Sequence, residues 1–323
     1  MRNAKNLSGF DAAVTAFLSS KRSLGRVYGP EEWILGNLRA FLACAAAADL
    51  DGPLFDRWRR RSRHLTYSTR IARERVVHKF CRYRRRSERR CFLPDPLSFA
   101  RHQPYPLPMI VDASQIAQLL AAATSLKPSP GSPIRAEAMR LAIVLLYTTG
   151  LRRGELIRLS LDDVDAAGGV LRIRESKFHK SRWVPVSPSA RLELCTYLQV
   201  RRHAGFDQRP SSPLLCGRDT RACSADGFRN RLQALCISAG VYDSAGRAPR
   251  VQDFRHSFAV GALLRWYEAD ADVQVNLPKL ALYMGHVSIV STAYYLRLMP
   301  AVIHRASERF ARSCASILDG GAA

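Results

Sequence analysis

The sequence predicts a mainly α protein of two domains with one small β-hairpin, and three observations predict it. Apolar residues make up 47% of the chain and recur mostly at helical spacing, enough to bury sizeable cores. The length of 323 residues suits one large or two medium domains. Pro94, Pro96, Pro104, Pro106 and Pro108 fall within fifteen residues, where fixed φ and missing backbone donors favour an extended linker. The expected division is a helical domain at 1–92, a linker at 93–108 and a second domain at 109–323.

In the first domain Pro30-Glu31-Glu32 opens a helix with acidic residues in its first turn, which suits the macrodipole. Trp33, Ile34, Leu38, Phe41 and Leu42 follow at helical spacing. The longest apolar run, Ala40–Ala48, is too short and Ala-rich to span a membrane and reads as a packed helix. Ser68-Thr69 can cap another helix, with Ile71, Val77, Phe80 and Cys81 on one face. That helix runs into Arg82, Arg84, Arg85, Arg86, Arg89 and Arg90, six arginines in nine residues, with Tyr83 among them for stacking. A charge run is ordinarily a solvated helix end; this density favours a surface that follows phosphates.

In the second domain Asp112 or Ser114 caps a helix carrying Ile116, Leu119 and Leu120, and Arg135–Thr149 is apolar enough to be a buried helix. Gly168-Gly169 turns into a strand at Val170–Arg174, and Trp183–Val186 returns as its partner. From Ser189 the pattern is mostly helical. The tail Pro300–Leu318 has the spacing of an amphipathic helix, which can fold back on its own domain or dock on a neighbouring copy.

Lys and Arg outnumber Asp and Glu 50 to 27, a net charge of +23, and a polyanion is the natural partner. The first hundred residues hold 21 of those cations against 9 carboxylates, so charge per residue is greatest there. No amphipathic basic helix with an aromatic face suggests a membrane surface. Eight scattered cysteines without a C-x-x-C pair fit reduced core residues better than zinc or a disulfide framework. The first residues show no basic-then-apolar signal pattern, so a cytoplasmic, nucleoid-associated location is expected. The cluster Asp162-Asp163-Val-Asp165 precedes the Gly-Gly turn, where Asp bonds local backbone, so neither a metal nor another cofactor is expected.

Four segments carry chemistry: Thr149-Gly-Leu-Arg152-Arg-Gly-Glu155-Leu; Ser176-Lys177-Phe-His-Lys180-Ser-Arg182-Trp-Val-Pro-Val; Val251-Gln252-Asp-Phe-Arg255-His256-Ser-Phe-Ala; and Tyr283-Met-Gly-His286, followed by Tyr294-Tyr295. Singly, each has an ordinary reading as surface or core. Together and in this order they resemble the catalytic domain of the tyrosine recombinase and phage integrase family. Its pattern runs T-G-L-R-x-x-E-L, G-K-x-x-K-x-R-x-V-P-L, H-x-L-R-H-[ST]-F-A, then L-G-H with tyrosine nine residues on. Tyr295 stands nine residues after His286. The resemblance covers Leu107 to about Arg297, and the basic first third is similar to the family's helical core-binding domain.

That resemblance implies a two-domain C-shaped clamp on double-stranded DNA, a homotetramer joining two sites, accessory recombination proteins, and cleavage through a 3′-phosphotyrosine. Arg152 and Arg255 suit the charge on two non-bridging oxygens, because guanidinium grips oxygens in pairs. Glu155, three residues past Arg152, lies where it could hold that guanidinium. Lys177 matches the acid for the leaving 5′-oxygen, with Lys180 as fallback, and His286 donates to the phosphate. Tyr295 is the nucleophile, with Tyr294 its rival. Gln252 stands where the family carries histidine; its amide donates a hydrogen bond but exchanges no proton near neutral pH. His256, one helical turn on, could substitute, although its ordinary reading is a packed helix-face histidine. The stretch Val273–Leu280 resembles integrases of mobile elements, which favours integration or transposition. A type IB topoisomerase and a non-catalytic DNA-binding accessory protein remain as alternatives, the latter because of Gln252.

Overall fold

Capping and apolar spacing set the helices of the first unit. The computed structural model describes residues 8–99, 107–174, 181–217, 219, 221–286 and 288–298, the side chains of 297 and 298 excepted. The chain divides into two units, Met1–Pro106 and Leu107–Ala323, each with its own core.

Helices α1 (Ser8–Arg22), α2 (Gly29–Cys44), α3 (Gly52–Arg61) and α4 (Tyr67–Arg84) build the first unit. Leu35, Leu38 and Leu42 of α2, Phe17 of α1 and Val77 and Phe80 of α4 are almost fully buried together, with Phe17 and Phe80 edge to face at 5.7 Å. Asp51 caps α3 by accepting from the Leu54 amide at 2.7 Å. Three sequence expectations change here. Helix α2 stops at Cys44, and Ala45–Ala47 form its closing turn, with Ala46 at φ 51° so that the Ala47 amide reaches the Leu42 carbonyl. Helix α4 begins at Tyr67, before Ser68 and Thr69, so neither caps it; Thr66 flanks its start. Pro94 and Pro96 belong to a turn on the first core, with a 3-10 turn at Pro96–Ser98, a His78 Nδ1 contact to the Pro94 carbonyl (2.9 Å) and Phe99 packed beside Phe55. The rest of the expected linker up to Pro106, with Pro104, lies outside the described residues.

The second unit is built round α6 (Arg135–Thr149), buried on every side from Leu141 to Leu146, as a central helix must be. Helix α5 (Ala113–Thr124) packs on it, started by Asp112 in a capping box with Gln115. A six-residue helix, α7 (Arg153–Arg158), leads to an antiparallel sheet β1 (Val164–Asp165), β2 (Val170–Ile173), β3 (Arg182–Pro185) in that order. The expected hairpin pairs Leu171 with Val184; the added edge strand pairs Val164 with Leu171. Leu171, Ile173 and Val184 face the core while Trp183 is exposed. Helices α8 (Pro188–His203), α9 (Ala225–Ser238), α10 (Val251–Glu268), α11 (Val273–Met284) and α12 (Val290–Ala293) complete the unit, and a 3-10 turn at Tyr294–Leu298 follows. Glu175–Lys180, with Lys177 and Lys180, and the tail Pro300–Leu318 lie outside the described residues. No helix among the described residues is long and apolar enough to cross a membrane.

Candidate active site

Two helix ends organise the site. Helices α6 and α11 both stop at a glycine in the left-handed region, Gly150 (φ 61°) and Gly285 (φ 66°). A Cβ on Gly150 would meet Phe258 at 2.5 Å, and one on Gly285 would meet Arg182 Nη1 at 2.9 Å, so both positions need glycine twice over. A helix end leaves carbonyls without intrahelical partners and carries partial negative charge, which favours cations there. Three arginines from three other segments take those carbonyls.

Arg255, 1% exposed on α10, donates from Nη1 to the Gly150 carbonyl (2.5 Å) and from Nη2 to that of Met284 (2.6 Å). Arg152, at the start of α7, donates from Nη2 to the Gly285 carbonyl at 2.9 Å and from Nη1 to Glu155 at 2.7 Å. Arg182, on β3, donates from Nε to the Tyr283 carbonyl at 2.8 Å and grips both oxygens of Glu155 at 3.0 and 2.9 Å. Each Nη carries a second hydrogen, so docking on a carbonyl leaves donors for an anionic oxygen. Burial would raise the Glu155 carboxyl, but hydrogen bonds and charge from Arg182, with those of Arg152, outweigh it and bring it down to about 2. Burial, reinforced by the Arg152 charge, lowers Arg255 to about 10, still cationic at neutral pH.

Tyr295 is 3% exposed, whereas Tyr294 is 42% exposed. The Tyr295 hydroxyl lies 3.2 Å from Nδ1 of His256, and its ring centroid is 6.2 Å from that of His286, the rings nearly parallel. Burial pushes the phenol above its ordinary range, while Arg255 and Arg152 oppose the rise. His286 sits with Nδ1 2.7 Å from the Thr292 hydroxyl; burial and the charges of Arg255, Arg152 and Arg182 bring it down to about 4, so it is neutral at pH 7.

The structure thus gathers Arg152, Glu155, Arg255, His256, His286 and Tyr295. Gln252 is exposed one turn earlier on α10, in a pocket with Arg153, Arg229, Gln233 and Arg250. Arg182 and Thr292 were not singled out from the sequence. Arg182 stood inside the second segment, but its partners, Glu155 and the Tyr283 carbonyl, are distant in the sequence and leave no local mark. Asp162 and Asp163 are occupied by Arg172 and Arg174, and Asp165 accepts from the Gly168 amide; no group of three metal-ligating side chains occurs among the described residues.

In the first unit Arg82, Arg85, Arg86, Arg89 and Arg90 are exposed, and Arg82 and Arg86 line a pocket with Lys21, Arg26 and Lys79. Arg84 is corrected: it is 6% exposed and closes on both oxygens of Asp49 (2.6 and 2.9 Å) and on Glu88 (2.5 Å), so it fastens α4 to the chain before α3 and does not face solvent. Tyr83 does not stand out for stacking either; its ring packs against Phe17 at 5.3 Å.

Comparison with known proteins places this geometry. Residues 110–301 match the model of the phage integrase family. Over 318 residues the chain is 33% identical to a putative integrase/recombinase, y4rE, of Sinorhizobium fredii (strain NBRC 101917 / NGR234), covering 96% of each chain. It is 28% identical over 222 residues to tyrosine recombinase XerD of Vibrio vulnificus (strain YJ016), 68% of this chain and 66% of that one. The Tn1549 transposon integrase, solved in complex with a circular intermediate DNA, matches with a TM-score of 0.66 at 16% identity over 93% of this chain and 98% of the other. A lambda integrase dimer bound to a COC′ core site matches at 0.60 and 15%, over 88% and 76%. At such identities the likeness is one of fold.

Proposed function

The chain belongs to the phage integrase family and is a tyrosine-type site-specific recombinase, and from that premise we propose that it cleaves and rejoins double-stranded DNA through a 3′-phosphotyrosine on Tyr295. One observation carries the reading: the buried Tyr295 phenol shares its pocket with His286 and lies within reach of the charges of Arg255 and Arg152. Those two guanidiniums bind the non-bridging oxygens of the scissile phosphate, and their carbonyl bonds hold them in place before substrate arrives. The Thr292 hydroxyl engages Nδ1 of His286 at 2.7 Å, and in the tautomer where that hydroxyl donates, the imidazole proton sits on Nε2 and is offered to the phosphate. Lys177, which the family pattern matches, protonates the leaving 5′-oxygen. The phosphotyrosine retains the energy of the phosphodiester, so rejoining by a 5′-hydroxyl needs no nucleotide cofactor.

The rest of the reading is supported by the family alone. The exposed arginines 82, 85, 86, 89 and 90 follow phosphates of the duplex, and four copies exchange strands between two sites with accessory proteins. The Val273–Leu280 segment supports a role in moving a mobile element. The relatives named above are integrases and recombinases, which favours recombination over supercoil relaxation.

The test is covalent trapping on duplexes of randomised sequence that carry 5′-bridging phosphorothiolates. Tyr295→Phe should form no adduct while still shifting DNA on gels, and Tyr294→Phe should trap normally. Loss with Tyr294→Phe alone would move the nucleophile by one residue. No adduct from the unaltered chain would leave the accessory DNA-binding role instead.

A further inference from the structure

We propose that His256 is the general base of the reaction, taking the phenolic proton of Tyr295 at Nδ1 as Oη attacks phosphorus. The proposal rests on Tyr295 being the nucleophile. A phenol buried to 3% exposure and displaced above its ordinary titration range is protonated at neutral pH, so its attack needs an acceptor at the moment of reaction. Among the described groups, the imidazole of His256 meets that need directly. Its Nδ1 lies 3.2 Å from Oη, with the ring centroids 5.5 Å apart. His286, the other histidine against the ring, engages its Nδ1 with Thr292. Gln252, at the position where the family pattern carries histidine, cannot accept a proton near neutral pH and is exposed in a pocket of Arg153, Arg229 and Arg250.

The placement of His256 is itself fixed. Its neighbour Arg255 is locked by two carbonyls from two other segments, and Ser257 accepts from the Val111 amide at 2.7 Å, so α10 has no freedom to turn at this point. The groups facing His256 decide its protonation state. Burial lowers its titration, Asp253 opposes that, and Arg250 and Arg255 reinforce it; His286 and Tyr295 face it from beyond α10. The free imidazole is therefore the neutral base.

The step balances. The Oη–P bond forms and the P–O5′ bond breaks, the phenolic proton passes to Nδ1, and O5′ leaves with the bonding pair and takes a proton from Lys177. On rejoining, the 5′-hydroxyl gives its proton back to Lys177 as O5′ attacks phosphorus, the P–Oη bond breaks, and the imidazolium returns its proton to the departing phenolate.

The experiment uses the full chain and the randomised phosphorothiolate duplexes, because a sulfur leaving group needs no protonation and the role of Lys177 drops out. His256→Ala and the better-packed His256→Gln should each trap at least about 100-fold more slowly. Added free imidazole should restore His256→Ala and leave the unaltered chain unchanged. The unaltered rate should level off above the His256 midpoint, while that of His256→Ala climbs about tenfold per pH unit as hydroxide replaces the base. Trapping by His256→Ala within about threefold of normal would overturn the proposal. So would slow trapping by both variants with no imidazole rescue and an unaltered pH profile, since His256 would then only support the ring. Adducts that persist in Tyr295→Phe would instead break the premise beneath it.

Discussion

In the first unit, five of the six arginines between 82 and 90 stand in solvent; in the second, Arg255, Arg152 and Arg182 lie against carbonyls of Gly150, Tyr283, Met284 and Gly285. The same side chain meets two needs. A cation that follows a polyanion gains from mobility, since its partner is a line of phosphates and each contact is worth little alone. A cation that meets charge developing on one phosphate gains from immobility, because its ordering has already occurred during folding. Arg84 crosses between the classes: it belongs to the run by sequence and to the fixed set by environment, although carboxylates rather than carbonyls hold it.

The largest effect is expected at the fixed arginines. Arg255→Lys and Arg152→Lys should each slow cleavage by at least about 100-fold, since lysine keeps the charge but cannot bridge two carbonyls, or a carbonyl and a carboxylate, in one plane. Near-normal single-turnover rates would place both arginines with the mobile class. Glu155→Gln should come next. The Glu155 carboxyl titrates at about 2 in the folded chain against an ordinary 4.5, so its contribution to stability is present above pH 4.5 and is lost as the pH falls toward 2. That contribution is about 3 kcal/mol, and urea unfolding of Glu155→Gln should lose both it and the acid limb it creates.

A smaller effect sharpens the contrast within the run. Arg84→Ala should lower stability by about 1–2 kcal/mol, through its stem over Phe10 and Phe80 and its ion pairs, and leave the salt dependence of DNA affinity as it was. Arg86→Ala should leave stability alone and flatten the slope of log K against log salt by about 0.9. Equal slopes in the two variants would remove the distinction. The least change is expected from Gln252→His, which should raise the cleavage rate or leave it alone; a severe loss would mean that the site has been built around the amide.

Much of the fold and of the site is legible in the sequence. Arg135–Thr149 reads as buried because Leu141–Tyr147 is an unbroken apolar run, and Val170–Ile173 and Arg182–Pro185 read as strands because Leu171, Ile173 and Val184 alternate with residues turned from the core, the first strand opening from the turn at Gly168-Gly169. The four chemical segments were readable as a set, and the second unit brings the described ones together. What escaped the sequence has a common cause, contact across distance. The partner of Arg84 is Asp49, 35 residues away. Arg182 is fixed by Glu155 and by the Tyr283 carbonyl, 27 and 101 residues away, and a carbonyl is offered by every residue alike. Strand β1 is two residues long, too short for any alternation to show.

Because main-chain oxygens hold Arg255, and share with Glu155 the holding of Arg152 and Arg182, drift in the gene has few ways besides Glu155 to release them. No substitution at Tyr283 or Met284 deletes a carbonyl, so a saturation-mutagenesis map should read out only the packing of those side chains, Met284 being fully buried and Tyr283 stacked on Phe258, and should accept apolar and aromatic replacements that fit. Intolerance should concentrate at Gly150 and Gly285, which touch no phosphate through a side chain of their own and yet set where the helix ends fall.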